Sequence, residues 1–293
     1  MGVLRFNTIC INCIYNKFLK SVPDGTDEIT RLHYAKGLLK IIAEAPDSVS
    51  APEIVAECTR FKNNTFGFSD DFKELKKHFN ALMLEFEPEI AKKIAKASDP
   101  VRSALCHALL GNYIDFGAMD SVDENKLREL IGNADNLDID YNEFENLKSE
   151  LLTAENLVYL TDNCGEVVLD KLFIKELTKQ YPNLKIKVLV RGQAVLNDAT
   201  LHDAEQIGLT EVASVSGNGT DIAGTCLRKM PESTRNIVES ADVIIAKGQG
   251  NFETLCYCHK NVYYLFMCKC KMFADKFNVP PLSGMLLNDL RMK

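Results

Sequence analysis

Hard oxygen donors follow two apolar runs of the chain. Asp162 and Asn163 come directly after the run Leu157–Leu160, and Asp198 comes shortly after the run Ile186–Val190. Carboxylate and carboxamide oxygens suit a six-coordinate Mg²⁺ or Mn²⁺ that keeps several of its waters. The pattern therefore predicts a divalent cation bound by Asp162, Asn163 and Asp198. The alternative is that Asp162 is only the N-cap of the next helix, since Asp and Asn are favoured caps.

Two segments close to these donors are suited to bind an anion. Gly165 permits close approach of the backbone, and N–H groups that open a helix near Glu166 could bind a negative charge. Lys247 precedes the glycine-rich stretch GQGNFE, which could hold a phosphoryl group through backbone N–H groups and one point charge. This stretch matches neither a Walker A loop nor a dinucleotide-binding fingerprint. An ordinary strand-to-helix turn with a solvated lysine is the alternative.

A polar pair occurs in the first half of the chain. Asn112 and Asp115 are three residues apart and lie between Gly111 and Gly117, so a helix would present both on one face. They could line a cleft from the other half of the molecule. The alternative is a helix end that the two residues cap.

Cys10 and Cys13 have the spacing of half a structural zinc site. Two thiolates fill only half of a tetrahedral shell, and no second pair at zinc-ribbon spacing is present in the sequence. Free cysteines also serve as small buried hydrophobic residues. We expect neither cysteine to take part in the chemistry of the oxygen donors.

The pattern of apolar residues changes after residue 150, and this change indicates which elements position the residues above. Short apolar runs alternate there with helical patterns, which is typical of βαβ units around a parallel sheet. The runs are Leu157–Leu160, Ile186–Val190, Val212–Val215, Val243–Ala246 and Val262–Met267. Right-handed crossovers place the carboxyl ends of such strands on one rim, so the polar residues that follow them should converge. We predict an α/β fold with an open, doubly wound sheet of at least five strands.

Residues 1–150 show helical periodicity and few β-branched runs, which predicts an all-helical domain. We place the boundary near residue 150, so that residues 1–150 form the helical domain and residues 151–293 form the α/β domain. Asn112 and Asp115 would then reach the cleft from the helical side.

Composition limits the classes of partner. The chain has 293 residues with 34 Lys and Arg against 41 Asp and Glu, and this net charge of −7 argues against a general nucleic-acid binder. The longest apolar stretch, Val262–Cys268, is far shorter than the roughly 18 residues of a membrane helix. The first residues lack a signal-peptide pattern, so we expect a cytoplasmic protein whose ten cysteines are reduced.

Taken together, these motifs resemble the damage-control phosphatase family. The matching segments begin with Asp162-Asn163-x-Gly165-Glu166 and Asn197-Asp198 with Asp203 following, and continue with Lys247-Gly248-x-Gly250-Asn251-Phe252-Glu253 and Gly111-Asn112-x-Ile114-Asp115-Phe116-Gly117. They cover most of the chain from about residue 70 onward. The early Cys10-x-x-Cys13 is similar to the prokaryotic-type branch.

The resemblance implies a helical N-terminal domain packed on a three-layer α/β/α domain. It also implies a phosphatase that depends on Mg²⁺, Mn²⁺, Co²⁺ or Ni²⁺ and acts on small phosphorylated metabolites such as sugar phosphates. Asp162, Asn163 and Asp198 would hold the metal, and Lys247 would face the phosphate. The substrate would be bound by residues near these four, namely Gly165, Glu166, Asn112, Asp115, Asn251 and Glu253.

Two other functions share the same polar rim. A non-catalytic metabolite-binding protein would need these residues but no metal-dependent turnover. An S-adenosylmethionine-dependent methyltransferase would be expected to carry a glycine-rich turn after the first strand, where this chain has only Gly165. For a phosphatase, water is the first choice of nucleophile and Asp162 is the alternative, since a carboxylate can attack a phosphoryl group.

Overall fold

The computed structural model describes residues 3–67, 72–113 and 124–292. Its strands are β1 Asn156–Leu160, β2 Lys185–Val190, β3 Ser214–Gly217, β4 Val243–Lys247, β5 Val262–Met267 and β6 Gly284–Asn288. Its helices are α1 Thr8–Lys20, α2 Glu28–Glu44, α3 Ala51–Phe66, α4 Lys73–Lys96, α5 Pro100–Gly111, α6 Glu124–Gly132, α7 Tyr141–Leu151, α8 Glu166–Gln180, α9 Leu201–Gln206, α10 Glu232–Glu239, α11 Gly248–Leu255 and α12 Lys271–Phe277.

The six strands form one sheet in the order β3-β2-β1-β4-β5-β6. All neighbouring pairs are parallel except β5 and β6, which are antiparallel. The chain therefore winds outward in both directions from the neighbours β1 and β4, and the prediction of a doubly wound, mostly parallel sheet is confirmed. β3 begins two residues later than the apolar run that predicted it, and β6 was not predicted.

The sheet is covered on both faces. Along β1, Leu157 and Tyr159 pack into a core shared with α4, α5 and α8, whereas Val158 and Leu160 pack into a second core shared with α11 and α12. This alternation follows from the period of two along a strand. It gives the three layers expected of an α/β/α fold.

The predicted apolar face of α8 is buried as expected. Leu169, Leu172, Phe173 and Leu177 all lie in the first of these cores, at most 5% exposed. Their helical spacing turns one side of α8 toward the sheet. The helix therefore crosses from β1 to β2 and fixes the direction in which the residues after β1 leave the sheet.

The helical half packs in two groups. Helices α1, α2 and α3 enclose a core of their own that includes Phe18, Tyr34 and Leu38. Helices α4 to α7 instead contribute to the core on one face of the sheet, where Leu105 and Leu147 are fully buried. Residues 1–150 contain no strand among their described positions. A division into two domains at residue 150 stays a prediction.

Short-range contacts fix the starts of the helices nearest the sheet rim. Ser50 and Glu53 form a capping box at the start of α3, and the Asp99 carboxylate accepts a hydrogen bond from the N–H of Arg102 at the start of α5.

Within the described ranges, we find no helix with the length and apolar content needed to cross a membrane.

Candidate active site

The strands β1 and β4 lie side by side at the point where the sheet reverses its winding, and their carboxyl ends open the crevice in which ligands bind in such folds. β1 leads into Thr161 and Asp162, and β4 leads directly into Gly248 at the start of α11. Gly248 has φ +78°, and a Cβ built on it would fall 1.9 Å from Oδ2 of Asp162. A glycine at this position is therefore required for the backbone of α11 to approach the Asp162 carboxylate.

The three predicted oxygen donors meet at this rim. The N–H of Ala199 donates to the Asp162 carbonyl at 2.7 Å, and Asn163 and Asp198 form an isolated antiparallel β-bridge. All three donor side chains line the same cavity of about 220 Å³. Asp162 does not cap α8, whose N-cap is Gly165 and has no side-chain cap bond. Asp162 is 7% exposed and lines the cavity.

Arg191, the residue directly after β2, joins the two carboxylates. It is 1% exposed, and its Nε donates to Oδ2 of Asp198 at 2.5 Å while Nη2 donates to Oδ1 of Asp162 at 3.3 Å. Its Nη1 donates to Oδ1 of Asn251 at 3.4 Å. We assigned Arg191 no role from the sequence. The rule that identified Asp162, a polar residue at the carboxyl end of a buried run, applies equally to this arginine.

Asn112 reaches the rim from the helical half. Its Nδ2 donates to Oδ2 of Asp162 at 3.0 Å and to Oε2 of Glu166 at 2.9 Å, and its Oδ1 accepts from the N–H of Met267 at 3.0 Å. The side chain is fully buried, and it ties the end of α5 to β1, α8 and β5. Its predicted partner Asp115 lies outside the described residues.

Lys247 does not face an open phosphate site. Its ammonium is fully buried and donates to the Ala108 carbonyl at 2.7 Å, to Glu166 Oε1 at 2.7 Å and to Asp170 Oδ1 at 2.6 Å. These three bonds use the three protons that an ammonium carries. The prediction of a phosphate-facing lysine is corrected, because the strand direction at the end of β4 turns the side chain toward α8 and α5 instead.

Burial and charge shift the pKa values of this ion pair. Burial raises the pKa of Asp170 to about 6, although the ammonium of Lys247 opposes the shift. Burial also acts to lower the pKa of Lys247, but the nearby Asp170 and Glu166 carboxylates more than offset it and the pKa is raised above 10.5. Tyr159 donates to Oδ1 of Asp170 at 2.7 Å. Lys247 is therefore charged at neutral pH.

Asn251 and Glu253 have different surroundings. Asn251 is fully buried, and its Nδ2 donates to the carbonyls of Thr161 and Lys247 at 3.0 and 2.7 Å. Its Oδ1 accepts from the hydroxyl of Thr225 at 2.7 Å. The predicted substrate contact of Asn251 is corrected, because these bonds clamp the ends of β1 and β4 together. Glu253 is partly exposed and lines the cavity.

The start of α8 is closed by groups of the chain itself. Gly165 has φ +77°, and its N–H donates to Oδ1 of Asn80 at 2.7 Å. Glu166 is fully buried, and its Oε2 accepts from Nδ2 of Asn163 at 3.0 Å. The expectation of an anion site at Gly165 and Glu166 is corrected, because a side chain from α4 satisfies the Gly165 donor and Glu166 itself occupies the helix start.

The two early cysteines line the same cavity as the oxygen donors. Cys10 and Cys13 lie on α1, and Cys270 precedes α12 on the same cavity wall. Burial raises the pKa of Cys10 to about 11, so this residue is a neutral thiol at pH 7. From the sequence we placed these thiols outside the site. No pattern in the sequence around α1 indicates that this helix lies beside the rim.

Six buried charged side chains form one hydrogen-bonded group, which we call the rim network: Asp162, Glu166, Asp170, Arg191, Asp198 and Lys247. Asn112 links its two halves. Four carboxylates and two cations leave a net charge of −2 when all are ionised. The network is therefore suited to accept one divalent cation.

The donor set defines which cation would fit. The described part of the chain has no group of three or more His, Cys, Asp or Glu side chains placed to hold a metal ion. The oxygens that a metal at the rim could bind are those of two carboxylates, Asp162 and Asp198, and the carboxamide oxygen of Asn163. Such a shell of few protein oxygens completed by water is the kind that Mg²⁺ and Mn²⁺ accept.

The chain is similar to several known proteins over nearly its whole length. A damage-control phosphatase of Archaeoglobus fulgidus is 29% identical over 286 residues, which cover 94% of this chain and 96% of that protein. A damage-control phosphatase of Pyrococcus horikoshii is 30% identical over 281 residues, covering 92% and 93%. The crystal structure of a DUF89 family protein from P. horikoshii superimposes with a TM-score of 0.79 at 25% identity, covering 97% of this chain and 99% of that one.

The family model described as "Damage-control phosphatase ARMT1-like domain" matches residues 7–282, a span that includes the rim network, α1 and the helices between them. Nearly the whole chain is thus accounted for by one family, and a solved DUF89 family protein has the same fold. We conclude that this chain belongs to the damage-control phosphatase ARMT1-like family.

Proposed function

We propose that this protein is a divalent-metal-dependent phosphatase that hydrolyses small phosphorylated metabolites. The observation that carries the proposal is the meeting of Asp162, Asn163 and Asp198 at one cavity, backed by a buried network of net charge −2. The names of the relatives support a phosphatase. We propose Mg²⁺, Mn²⁺, Co²⁺ or Ni²⁺ as the metal.

When bound, the metal would neutralise phosphate oxygens and lower the pKa of a bound water. The protein's own side chains prepare the site for it. Arg191 holds the Asp162 and Asp198 carboxylates in fixed directions, and Asn112 fixes the second oxygen of Asp162. Because these partners are already in place, little reorganisation is needed during the reaction.

Lys247 is a positioning residue in this proposal. It touches Glu166 and Asp170 rather than the cavity, and Glu166 in turn accepts from Nδ2 of Asn163. The bond from Lys247 therefore holds Glu166 in place, and Glu166 orients the carboxamide of Asn163 so that its oxygen is available to the metal.

Water is the proposed nucleophile. The Asp162 carboxylate accepts hydrogen bonds from Arg191, Asn112 and Asn163, which hold it in place. Attack by Asp162 itself, through an aspartyl phosphate, is the alternative. Rapid-quench trapping and mass spectrometry of the chain would reveal a phosphorylated Asp162 if that route operates.

A cytoplasmic location belongs to the same proposal. All ten cysteines are free thiols, as expected of a chain that stays in a reducing compartment. The net charge of −7 favours a small-molecule substrate over nucleic acid.

Release of inorganic phosphate tests the proposal. We expect hydrolysis of phosphate monoesters with at least one of the four metals and loss of hydrolysis in excess EDTA. Asp162→Asn and Asp198→Asn should each lower kcat/KM by about 10²-fold or more, since each removes a charge from the site. Asp242→Asn is the control, because Asp242 lies at the amino ends of β1 and β4, away from the rim, where it accepts from the N–H of Asn156. Activity that EDTA leaves unchanged would refute metal dependence.

A further inference from the structure

Another cavity lies in the helical half, between α4, α5 and α6, with a volume of about 440 Å³. Pockets for small ligands are commonly about 300–1,000 Å³. Among the described residues that line it, four are cations and one is a carboxylate: Lys92, Lys93, Lys96, Arg128 and Glu89. In a chain of net charge −7, this grouping makes the cavity locally positive. Its charge therefore favours an anionic ligand.

Two of these cations are held in place by other groups of the protein. Nζ of Lys93 donates to the Gly132 carbonyl at 2.8 Å and lies 3.3 Å from Oδ2 of Asp135, which neutralises part of its charge. The guanidinium of Arg128 lies 4.3 Å from the centre of the Phe86 ring, a cation–π contact between α6 and α4. Lys93 thus ties α4 to the end of α6, and the Phe86 ring fixes the position of the Arg128 charge.

The cavity has charged groups at its mouth and an imidazole at its inner end. Lys92, Lys96 and Arg128 are exposed, whereas His107 of α5 is fully buried. Lys92 and Lys96 are four residues apart on α4, so both ammonium groups project from the same side of the helix. A ligand whose anionic group contacts these lysines would direct the rest of its structure toward His107.

The imidazole of His107 presents a hydrogen-bond acceptor. Its Nδ1 lies 2.8 Å from the Ser103 carbonyl, which can only accept, so Nδ1 carries a proton. Burial lowers the pKa of His107, so the ring is neutral at pH 7 and Nε2 has a lone pair. Nε2 is buried and has no hydrogen-bond partner among the described residues. A buried acceptor without a partner is costly, which favours a ligand with a donor group.

The direction of Nε2 follows from the bond that Nδ1 makes. Ser103 lies one turn earlier on α5, so Nδ1 points back along its own helix. Nε2 is on the other side of the ring and therefore points away from α5, toward the cavity that the ring lines.

We propose that this cavity binds a small organic anion that also carries a hydroxyl group, such as a hydroxylated phosphate ester. Lys92, Lys96 and Arg128 bind the anionic group, and the hydroxyl group donates to Nε2 of His107. The described residues that line this cavity are all different from those at the rim. The binding site is therefore separate from the proposed metal site and does not depend on the phosphatase function.

Two probes that differ only in hydroxyl groups test the proposal. Glycerol 3-phosphate and propyl phosphate carry the same phosphate group on a three-carbon chain, and only the first has hydroxyl groups. Titration calorimetry of the metal-free protein in EDTA measures binding without interference from the proposed metal-dependent turnover. We expect one site per chain for glycerol 3-phosphate. Propyl phosphate should bind at least about threefold more weakly, because it lacks the donor for His107.

Charge variants show where the probe binds. Lys92→Gln/Lys96→Gln removes two charges from the mouth of the cavity and should weaken the binding of glycerol 3-phosphate by at least about tenfold. Lys36→Gln/Lys40→Gln is the matched control, since it removes two charges with the same spacing from α2, outside the cavity. All four lysines are exposed, so both variants should fold.

The histidine itself gives a spectroscopic readout. In protein labelled with ¹⁵N histidine, the Nε2 resonance of His107 should shift upfield when glycerol 3-phosphate is added, because Nε2 then accepts a hydrogen bond. Propyl phosphate should leave this resonance nearly unchanged. Its loss in His107→Asn assigns it, and the asparagine amide can still donate to the Ser103 carbonyl.

The outcomes are distinct. Binding of glycerol 3-phosphate that the α4 variant weakens and the α2 variant leaves intact, with the shift at His107, supports the inference. Absence of binding, or an equal effect of the two charge variants, overturns it. Equal affinity for the two esters without a shift at His107 also overturns it, since the ligand would then make no bond to the imidazole. The assay of phosphate release tests the proposed hydrolysis separately.

Discussion

At the scale of single residues, Arg191 is the side chain on which the arrangement of the rim most depends. It lies between the Asp162 and Asp198 carboxylates and is almost completely buried. Without its charge, these two groups would repel each other in a poorly solvated site. A planar guanidinium can contact both carboxylates and Asn251 at once, which a lysine ammonium cannot do with the same geometry.

We therefore expect Arg191→Met to lower the free energy of unfolding by about 3–5 kcal/mol, because the two carboxylates lose their buried partner. Arg60→Met is the control, since Arg60 forms an exposed ion pair with Asp221 that should contribute less than about 1 kcal/mol. Urea denaturation at pH 7 measures both. Equal losses in the two variants would show that Arg191 does not stabilise the rim.

Asp170 predicts a pH dependence of stability. Its ordinary pKa is 3.8 and burial raises it to about 6 in the folded protein, so between about pH 4 and 6 the folded state binds more protons than the unfolded state. The contribution of Asp170 to the free energy of unfolding is therefore fully present below about pH 4 and is lost as the pH rises to about 6. The raised pKa of Lys247 affects stability at high pH. The stabilising contribution of the Lys247 ammonium is lost as the pH rises above 10.5.

Denaturation of the wild type and Asp170→Asn between pH 4 and 7 tests this dependence. The difference between the two curves should change steadily up to about pH 6, because asparagine does not titrate. A difference that is independent of pH would contradict the assignment of the raised pKa to Asp170.

The cysteines of α1 give a third prediction. We expect Cys10→Ser/Cys13→Ser to retain metal-dependent turnover and to lose at most some stability. The raised pKa of Cys10 leaves a neutral thiol at pH 7, and the proposed chemistry assigns neither cysteine a step. Phosphate release and thermal unfolding are measured on the same preparation. A folded variant without turnover would place this pair in the catalytic machinery.

At the scale of elements, the start of α11 determines how closely the β4 exit approaches the β1 exit. Gly248 should not tolerate a side chain, because its φ is positive and a Cβ would overlap the Asp162 carboxylate. We expect Gly248→Ala to displace Asp162 and to lower kcat/KM by about 10²-fold. The fold should lose more than the roughly 1 kcal/mol that the backbone conformation alone costs an alanine.

Gly25→Ala is a matched control for this change. Gly25 has φ +79°, almost the same as Gly248, but nothing lies within 4 Å of a Cβ built on it. It should lose the backbone contribution alone and keep full activity. If the two variants behaved alike in activity and stability, close approach of α11 to Asp162 would not matter.

The local pattern was sufficient to predict the elements that bury a regular face. The central strands β1, β4 and β5 were recognisable because both of their faces are buried and their sequences are largely apolar, and α8 was recognisable from Leu169, Leu172 and Phe173. β6 could not be predicted in the same way. It is a short antiparallel edge strand whose pairing with β5 depends on where the chain returns after α12.

The sequence could predict only those site residues that follow a strand of the sheet. Asp162, Asn163 and Asp198 follow from the rule for parallel sheets, and they line one cavity. Tertiary packing sets the direction of each side chain, so Lys247 at the end of β4 and Asn251 on α11 turn inward against expectation. Asp170 was not predicted, because the sequence shows only a carboxylate among the apolar residues of α8. Its role becomes apparent only when the fold places it beside Lys247.

At the scale of the whole molecule, the rim network joins the sheet to the helical half. The carbonyl of Ala108 and the side chain of Asn112, both from the end of α5, bind Lys247 and Asp162. The N-terminal helices α1 and α3 also line the cavity at the rim. The net charge of −2 within this network is the property that links the fold to the proposed metal.

Titration calorimetry with Mn²⁺ on the metal-free protein tests the central claim most directly. The account predicts that the wild type binds one ion per chain at the rim. Asp162→Asn and Asp198→Asn should each weaken that binding by at least about tenfold, whereas Asp242→Asn should bind as the wild type does. Binding of unchanged affinity and stoichiometry in both rim variants would contradict a metal held by Asp162, Asn163 and Asp198.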